Sequence, residues 1–254
     1  MKTEKNLQGK RALVTGGSRG IGRAISQALA SRGALVYINF RKRESEALEA
    51  KKLIEEAGGS CRLLQADISK EEEIQHIIDQ IKEESGGLDI LVSNAVTGVL
   101  KPISALSVTD WHFVMNTNVL SLMHLVQKAL PIMENQPYGR IISLSSHGSW
   151  KAYPMYGSIG ISKAALETMS MYLADELAPK NITVNVIRGG TVKTDAIKNF
   201  PNLDKMLAQL TAQTPMGKLT SAEDIGSLAA YLCSTEAGMI TGQNITVDGG
   251  ISIR

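Results

Sequence analysis

The segment ALVTGGSRGIGRAISQALA, residues 12–30, decides the fold. Ala12 to Thr15 is a short apolar run of strand type, and the residues after Gly20 form an amphipathic helical pattern. Between them, Thr15, Gly16, Gly20 and Gly22 read T-G-x-x-x-G-x-G. Glycines at a strand-to-helix junction let the backbone turn tightly and approach a pyrophosphate, whose charge then meets the positive end of the helix. Strand, glycine turn and helix in one βαβ unit therefore point to a dinucleotide site rather than an ordinary tight turn.

The same alternation of short apolar runs and helix-length segments continues along the chain, which predicts an α/β fold with a doubly wound parallel sheet. The further strand candidates are Leu35 to Asn39, Cys61 to Ala66, Leu88 to Ser93, Arg140 to Ser145, Thr183 to Ile187 and Asn244 to Val247. Ile74, Ile77, Ile78 and Ile81 keep the spacing of a helix with one buried face. Leu120 to Met133 is apolar nearly all round, as expected of a helix lying between the sheet and another helix or subunit. No linker or internal repeat divides the sequence, so residues 1–254 read as a single dinucleotide-binding and catalytic domain with an insertion at about 194–218.

Composition narrows the function classes. With 27 basic and 25 acidic residues and no long run of one sign, the net charge of +2 gives no reason to expect nucleic acid as a partner. No stretch approaches the ~18 apolar residues that suggest a membrane span, and the polar MKTEKNLQGKR start has no targeting character; the expectation is a cytoplasmic protein with no membrane partner. Cys61 and Cys233 match no metal or redox spacing and read as buried thiols, and the histidines show no ligand spacing, so no metal site is expected. His147 stands out only because it follows Ser146.

Charge also argues which dinucleotide. An NAD site usually places an acid at the end of the second strand to hold the ribose hydroxyls. Here that place is taken by Asn39 and Phe40, followed by Arg41, Lys42 and Arg43, while Arg19 sits inside the glycine turn. Cations there suit a 2′-phosphate and predict NADPH. Asp67 and Asn94, after the third and fourth strands, fall where strand ends line a cofactor crevice.

These residues, with the SNA of Ser93 to Ala95, Asn118, Ser146, Lys163, the VN of Val184 and Asn185, Thr194 and the ITGQNITVDGG segment, resemble the short-chain dehydrogenase/reductase family across essentially the whole chain. The resemblance implies a Rossmann-type, seven-stranded parallel sheet, hydride transfer from a nicotinamide, and a homotetramer. It implies cofactor contacts from Gly16, Ser18, Arg19, Gly20, Ile21 and Gly22 in the turn. Further contacts would come from Arg41, Asp67, Ile68, Asn94, Lys163, Gly190, Thr191 and Thr194. Lys163 would hold the nicotinamide ribose and favour an ionised tyrosine, and Asn118 would hold a helix carbonyl and a water chain. Three positions depart from the family pattern: Val96 replaces a glycine, Gly189-Gly190 replaces Pro-Gly, and Ile159 stands where the proton-donating tyrosine belongs, four residues before the lysine.

A tyrosine does occur farther back, in YGSIGISK, residues 156–163. On an α-helix, residues four and seven apart lie within about 40° and 20° of one face, so the difference is mainly an axial one of about 4.5 Å. Gly157, Gly160 and Pro154 leave open whether the helix already includes Tyr156. Ketone reduction needs an acid one bond from the carbon that accepts hydride. Reduction of an α,β-unsaturated thioester puts hydride on C3 while charge gathers on the distant carbonyl oxygen, which calls for a donor farther from the nicotinamide. This arrangement looks like that of the enoyl-acyl carrier protein reductases, most closely the NADPH-dependent type III branch.

By that resemblance Tyr156 binds the thioester carbonyl, Lys163 the ribose, and Ser146 keeps the ordinary serine place; Tyr153 and Val96 face the substrate. The substrate is expected to be a trans-2-enoyl chain on acyl carrier protein or coenzyme A. Phe200, Leu203, Met206, Leu207 and Leu210 would make an apolar lid that excludes water, and Lys193, Lys198 and Lys205 would attract an acidic carrier. Two other readings stand beside this one: an NADPH-dependent carbonyl or 3-oxoacyl reductase that reassembles an ordinary site from Ser146 and Tyr156 or Tyr153, and a non-catalytic NADPH-binding protein.

Overall fold

The apolar run at the start of the opening segment becomes β1 (Arg11–Val14), hydrogen-bonded in parallel to β2 (Leu35–Phe40) on one side and β4 (Ile90–Ser93) on the other. The computed structural model describes residues 5–195 and 202–254; Lys198 and Phe200 lie outside the described residues. Adding β3 (Ser60–Gln65), β5 (Gly139–Ser146), β6 (Ile182–Gly189) and β7 (Asn244–Val247) gives one seven-stranded sheet in the order β3-β2-β1-β4-β5-β6-β7. Every pairing is parallel. The chain winds outward from β1 to β3, then returns to β4 on the other side of β1. Crevices for ligands open at such a reversal, beyond the carboxyl ends of the strands.

Period-two alternation divides the sheet's side chains between two cores. Val14, Ile38, Val92 and Ile142 pack on one face beneath α1 (Gly20–Ser31), α2 (Glu44–Glu56) and α8 (Ala222–Leu232). Leu13, Tyr37, Leu91 and Ile141 pack on the other against α3 (Glu71–Ser85), α5 (Ser121–Met133) and α6 (Gly157–Leu177). The four isoleucines at positions 74, 77, 78 and 81 are the buried face of α3, as their spacing predicts. Among the described residues, no helix is long and apolar enough to cross a membrane.

Most strands shift by a residue or two from their sequence-based bounds, for local reasons. Thr15, for instance, leaves β1 because its hydroxyl accepts the N–H groups of Asn94 and Ala95. Between α4 (Val108–Met115) and α5, residues Asn116–Leu120 form a π turn, which inserts extra backbone into the helix and carries the buried Asn118. Beyond β6, the described residues include α7 (Leu203–Gln213), whose Leu203, Met206, Leu207 and Leu210 share one partly or fully buried face.

Helices α1 and α8 approach closely because Gly226 has no side chain: a Cβ there would lie 2.8 Å from the Ala24 carbonyl oxygen. Gly226→Val is expected to destabilise the protein by about 1–3 kcal/mol, the usual cost of overpacking. Urea denaturation measures it, and a midpoint equal to wild type would mean that the two helices have room to spare.

Candidate active site

The glycine turn is held by the two strands that flank the reversal. The buried Thr15 hydroxyl accepts from Asn94 N at 3.0 Å and Ala95 N at 3.1 Å, and Asn94 Nδ2 donates to the carbonyls of Thr15 (2.8 Å) and Gly16 (3.2 Å). Asn39, in the place of the usual acid, turns inward: Oδ1 accepts from Gly16 N, and Nδ2 donates to the carbonyls of Leu64 and Ala66. It straps the turn to β3 and offers no carboxylate to a ribose. Gly22 makes the closest approach, since a Cβ there would lie 2.2 Å from the Gly16 carbonyl oxygen.

A cleft of about 1200 Å³ opens over this turn. Gly16, Ser18, Arg19, Gly20, Ile21 and Gly22 line it from the turn, and Arg41, Asp67, Ile68, Asn94, Val96 and Thr194 line it from the loops after β2, β3, β4 and β6. Lys163 and Gly190 are not on this wall; Gly190 instead donates its N–H to Val247 O, and a Cβ on it would meet Asp248. Thr191, half-buried, follows on the same loop.

The cations expected for a 2′-phosphate gather at one end, each beside an acid. Arg41 Nη1 lies 3.4 Å from Asp67 Oδ2, Arg43 Nη1 is 2.8 Å from Glu46 Oε1, and Arg19 stands 3.7 Å from Glu46 and 3.5 Å from Asp195. Burial by itself would raise the Asp67 pKa, but the Ser69 hydroxyl and N–H together with Arg41 hold it below the usual range. The arginine side chains are 42–56% exposed, so these pairs are weak and the guanidinium groups remain available to a ligand anion. A glycine turn on the cleft wall and three arginines along it fit a dinucleotide that carries an additional phosphate.

The chemical end of the site is built by β5 and the start of α6. Ser146 closes β5, and its Oγ lies 3.3 Å from the Tyr156 hydroxyl. Tyr156 stands just outside the helix, with φ −97° and ψ 4°, and its carbonyl accepts the Gly160 N–H at 2.8 Å. The ideal-helix offset from Lys163 therefore does not extend to it. Its ring rests on Gly148, where a Cβ would lie 2.5 Å from the ring edge. Burial pushes the Tyr156 phenol up, and the Ser146 hydrogen bond opposes that.

Lys163 is buried, and its Nζ donates to Leu144 O at 2.7 Å. Burial pushes its pKa down to about 8, against the pull of Glu167. Ile159 is only 9% exposed and packs against Gly98, so the ordinary tyrosine position is filled with hydrocarbon.

Asn118 corrects one expectation. It does not hold the helix carbonyl itself: Oδ1 accepts from Thr97 N, and Nδ2 donates to Thr97 O and to Ser162 Oγ, all at 2.9 Å. Ser162 in turn donates to Ile159 O at 2.7 Å. Thr97 and Ser162 went unnoticed in the sequence, although Ser162 sits beside Lys163. Tyr153 is 39% exposed, its ring edge-on to Tyr156 at 6.2 Å. Together with Trp150 and Leu210 it lines a second cavity of about 430 Å³. His147 does more than adjoin Ser146, because its Nε2 lies 3.1 Å from the buried Asp248 carboxylate.

Gly22→Ala is expected to weaken dinucleotide binding by about tenfold or more, in line with the 1–3 kcal/mol of overpacking, while the far-UV circular dichroism stays native. Cofactor fluorescence titration checks this; unchanged affinity would show that the turn does not grip the pyrophosphate.

Comparison with known proteins agrees with this geometry. A family model described as Enoyl-(Acyl carrier protein) reductase matches residues 16–252. The chain is 37% identical over 246 residues to 1-cyclohexenylcarbonyl-CoA reductase of Streptomyces collinus, covering 95% of this chain and 86% of that protein. It is 36% identical over 248 residues to the 3-oxoacyl-(acyl-carrier-protein) reductase FabG of Haemophilus influenzae, covering 96% and 99%. A solved short chain dehydrogenase from Burkholderia cenocepacia, in complex with NADP, superposes with a TM-score of 0.89 at 33% identity, covering 97% of this chain and 99% of that one. With a parallel sheet reversing beside a glycine turn, and with these matches along nearly its whole length, the chain belongs to the short-chain dehydrogenase/reductase family.

Proposed function

We propose that the protein is a cytoplasmic, NADPH-dependent reductase of the carbon–carbon double bond of trans-2-enoyl thioesters carried on acyl carrier protein or coenzyme A, serving fatty acid or related acyl-chain synthesis. The observation that carries this reading is the replacement of the ordinary donor position by buried Ile159, while the Tyr156 hydroxyl stands at the start of α6 beside Ser146.

NADPH, when bound, supplies the hydride to C3 of the substrate. The glycine turn would hold its pyrophosphate, and Arg19, Arg41 and Arg43, which line the same cleft, would take the 2′-phosphate. Lys163, whose Nζ donates to Leu144 O, would turn to the ribose hydroxyls when NADPH is bound. The Tyr156 hydroxyl would donate a hydrogen bond to the thioester oxygen as charge develops there, which stabilises the enolate, and C2 would then take its proton by relay or from water. Ser146 orients that hydroxyl, and Tyr153 and Val96 border the acyl group. Leu207 and Leu210 of α7 form part of the apolar cover that keeps water from the reacting carbon. The substrate named for the Streptomyces collinus relative, a cyclohexenylcarbonyl thioester, has its double bond conjugated to the carbonyl, which supports this chemistry.

One contact favours a second reading, reduction of 3-oxoacyl thioesters: a serine hydroxyl 3.3 Å from a tyrosine hydroxyl also suits a ketone oxygen, and the Haemophilus influenzae relative is named for that reaction. Oxidation of NADPH by crotonyl or longer enoyl thioesters is expected to exceed that by 3-oxoacyl thioesters and simple ketones. Turnover confined to the oxo compounds would establish the second reading, and NADPH binding without any turnover would leave only a binding protein.

The apolar side chains left on α4 and α6, among them Val108 at 72% exposed and Tyr172 at 69%, support assembly into a homotetramer through these helices. Light scattering that returns a monomer mass would remove this part of the proposal.

Tyr156→Phe is expected to lower turnover by about tenfold or more, the low end of what a positioned donor supplies, with NADPH affinity little changed; full activity would shift the donor role to Tyr153 or water. The wild-type enzyme is expected to prefer NADPH over NADH, and a combined Arg19→Gln and Arg41→Gln variant to lose that preference. A wild type that favours NADH would overturn the role given to these cations. Because Lys163 carries its charge below about pH 8 and loses it above, kcat/KM is expected to fall as pH rises through that value.

A further inference from the structure

Lys163 and Glu167 are one helical turn apart on α6, on the same face of the helix. Beneath them run three successive residues of β5, each held from the α6 side. Lys163 Nζ donates to Leu144 O at 2.7 Å, Ser145 Oγ donates to Glu167 Oε1 at 2.5 Å, and Ser146 Oγ lies 3.3 Å from the Tyr156 hydroxyl. The Glu167 carboxylate also accepts from Arg188 on β6, from Nε at 3.1 Å and Nη2 at 2.6 Å, and from Asn244 Nδ2 on β7 at 3.5 Å. Arg188 is the register partner of Ser145, so one carboxylate ties α6 to three strands at the level of the reacting groups. Both side chains of the pair are mostly covered, at 16% and 11% exposure, which makes the loss of either partner costly.

We propose that Glu167 is a positioning residue of the active site, which fixes Lys163 relative to Ser146 through β5 and sets a carboxylate one helical turn from the Lys163 side chain. This rests on the assignment of Lys163, Ser146 and Tyr156 to the site, and it holds for an enoyl or a 3-oxoacyl substrate alike.

The surrounding charges set the sign. Burial disfavours the Lys163 cation, and Glu167 is the charged group that opposes it. Around Glu167 stand Arg188 from β6, Ser145 from β5, Ser149 from the turn after β5 and Asn244 from β7. Burial by itself would raise the Glu167 pKa, but the hydrogen bonds from Arg188, Ser145 and Ser149 hold it below the usual glutamate range. The carboxylate is therefore ionised wherever Lys163 titrates.

The test compares Glu167→Gln, which keeps the shape and removes the charge, with Arg188→Gln, which keeps the carboxylate and removes its counter-ion. The pH dependence of kcat/KM is measured with whichever thioester the wild type turns over, and the pH dependence of NADPH affinity by cofactor fluorescence without turnover. In Glu167→Gln the alkaline limb of both profiles moves to lower pH by about one unit, the low end of a neighbouring charge's effect. In Arg188→Gln it moves to higher pH. Opposite shifts support the inference. Limbs that stay at the wild-type pH in a variant that folds and binds NADPH would reduce Glu167 to a structural brace and overturn it. Failure of the enoyl assay alone bears only on the substrate, because the affinity profile reads Lys163 directly.

Discussion

The site depends first on the tie between the carboxyl ends of β1 and β4. A parallel sheet that reverses direction leaves two strand ends side by side with no connection between them, and their last polar groups must find partners. Thr15 and Asn94 satisfy one another there, with the threonine hydroxyl accepting two backbone N–H groups and the asparagine amide donating to two carbonyls. The glycine turn leaves β1 from this knot, so its conformation is set before any ligand arrives. Asn39 adds the third anchor from β2. A cofactor then meets a surface that is already organised, and little ordering entropy opposes its binding.

The second constraint is packing at the start of α6. Gly148 lets the Tyr156 ring lie against the backbone, and Gly160 lets the helix settle on the Gly148 carbonyl; a Cβ on either would come within 2.5 Å of its neighbour. Side-chain loss at two positions thus sets the direction of the phenol. From the loop after β4, Gly98 opens the space that Ile159 fills. Hydrocarbon fills that position, and the hydroxyls of Ser146 and Tyr156 converge from the end of β5 and from the residue that precedes α6. Both the enoyl and the 3-oxoacyl readings draw on this one pair, which is why substrate preference separates them better than any contact does.

The fold was legible because its signals are local and repeated. T-G-x-x-x-G-x-G fixed the first βαβ unit, and the spacing of Ile74, Ile77, Ile78 and Ile81 fixed α3. The cleft-lining positions after β1, β2, β3 and β4 were legible too, since strand ends point where the alternation says they must, whereas Lys163, Gly190 and Thr191 lie off that wall. What the sequence hid was pairing across long separations. Nothing in the order of residues joins Asn118 to Ser162, or turns Asn39 inward towards Leu64 and Ala66. The π turn at Asn116–Leu120 was equally hidden, because a single inserted residue leaves the apolar pattern on either side nearly unchanged. Glu167 had a readable signal in its four-residue spacing from Lys163, but its partner Arg188 arrives only through the register of β5 and β6.

The charges of the site fall into two groups that obey different physics. At the outer end Arg19, Arg41 and Arg43 are 42–56% exposed, so water screens them and their acidic partners can exchange for a phosphate at small cost. At the inner end Lys163 is buried; loss of solvent lowers its pKa, and the Glu167 carboxylate opposes that. The outer ions are solvent-screened and the inner ones buried, so the two sets respond to different forces. In the inner set Glu167 bonds the Ser145 hydroxyl on β5, between Leu144, whose carbonyl Lys163 contacts, and Ser146, whose hydroxyl faces Tyr156, so a single stretch of strand links all three side chains.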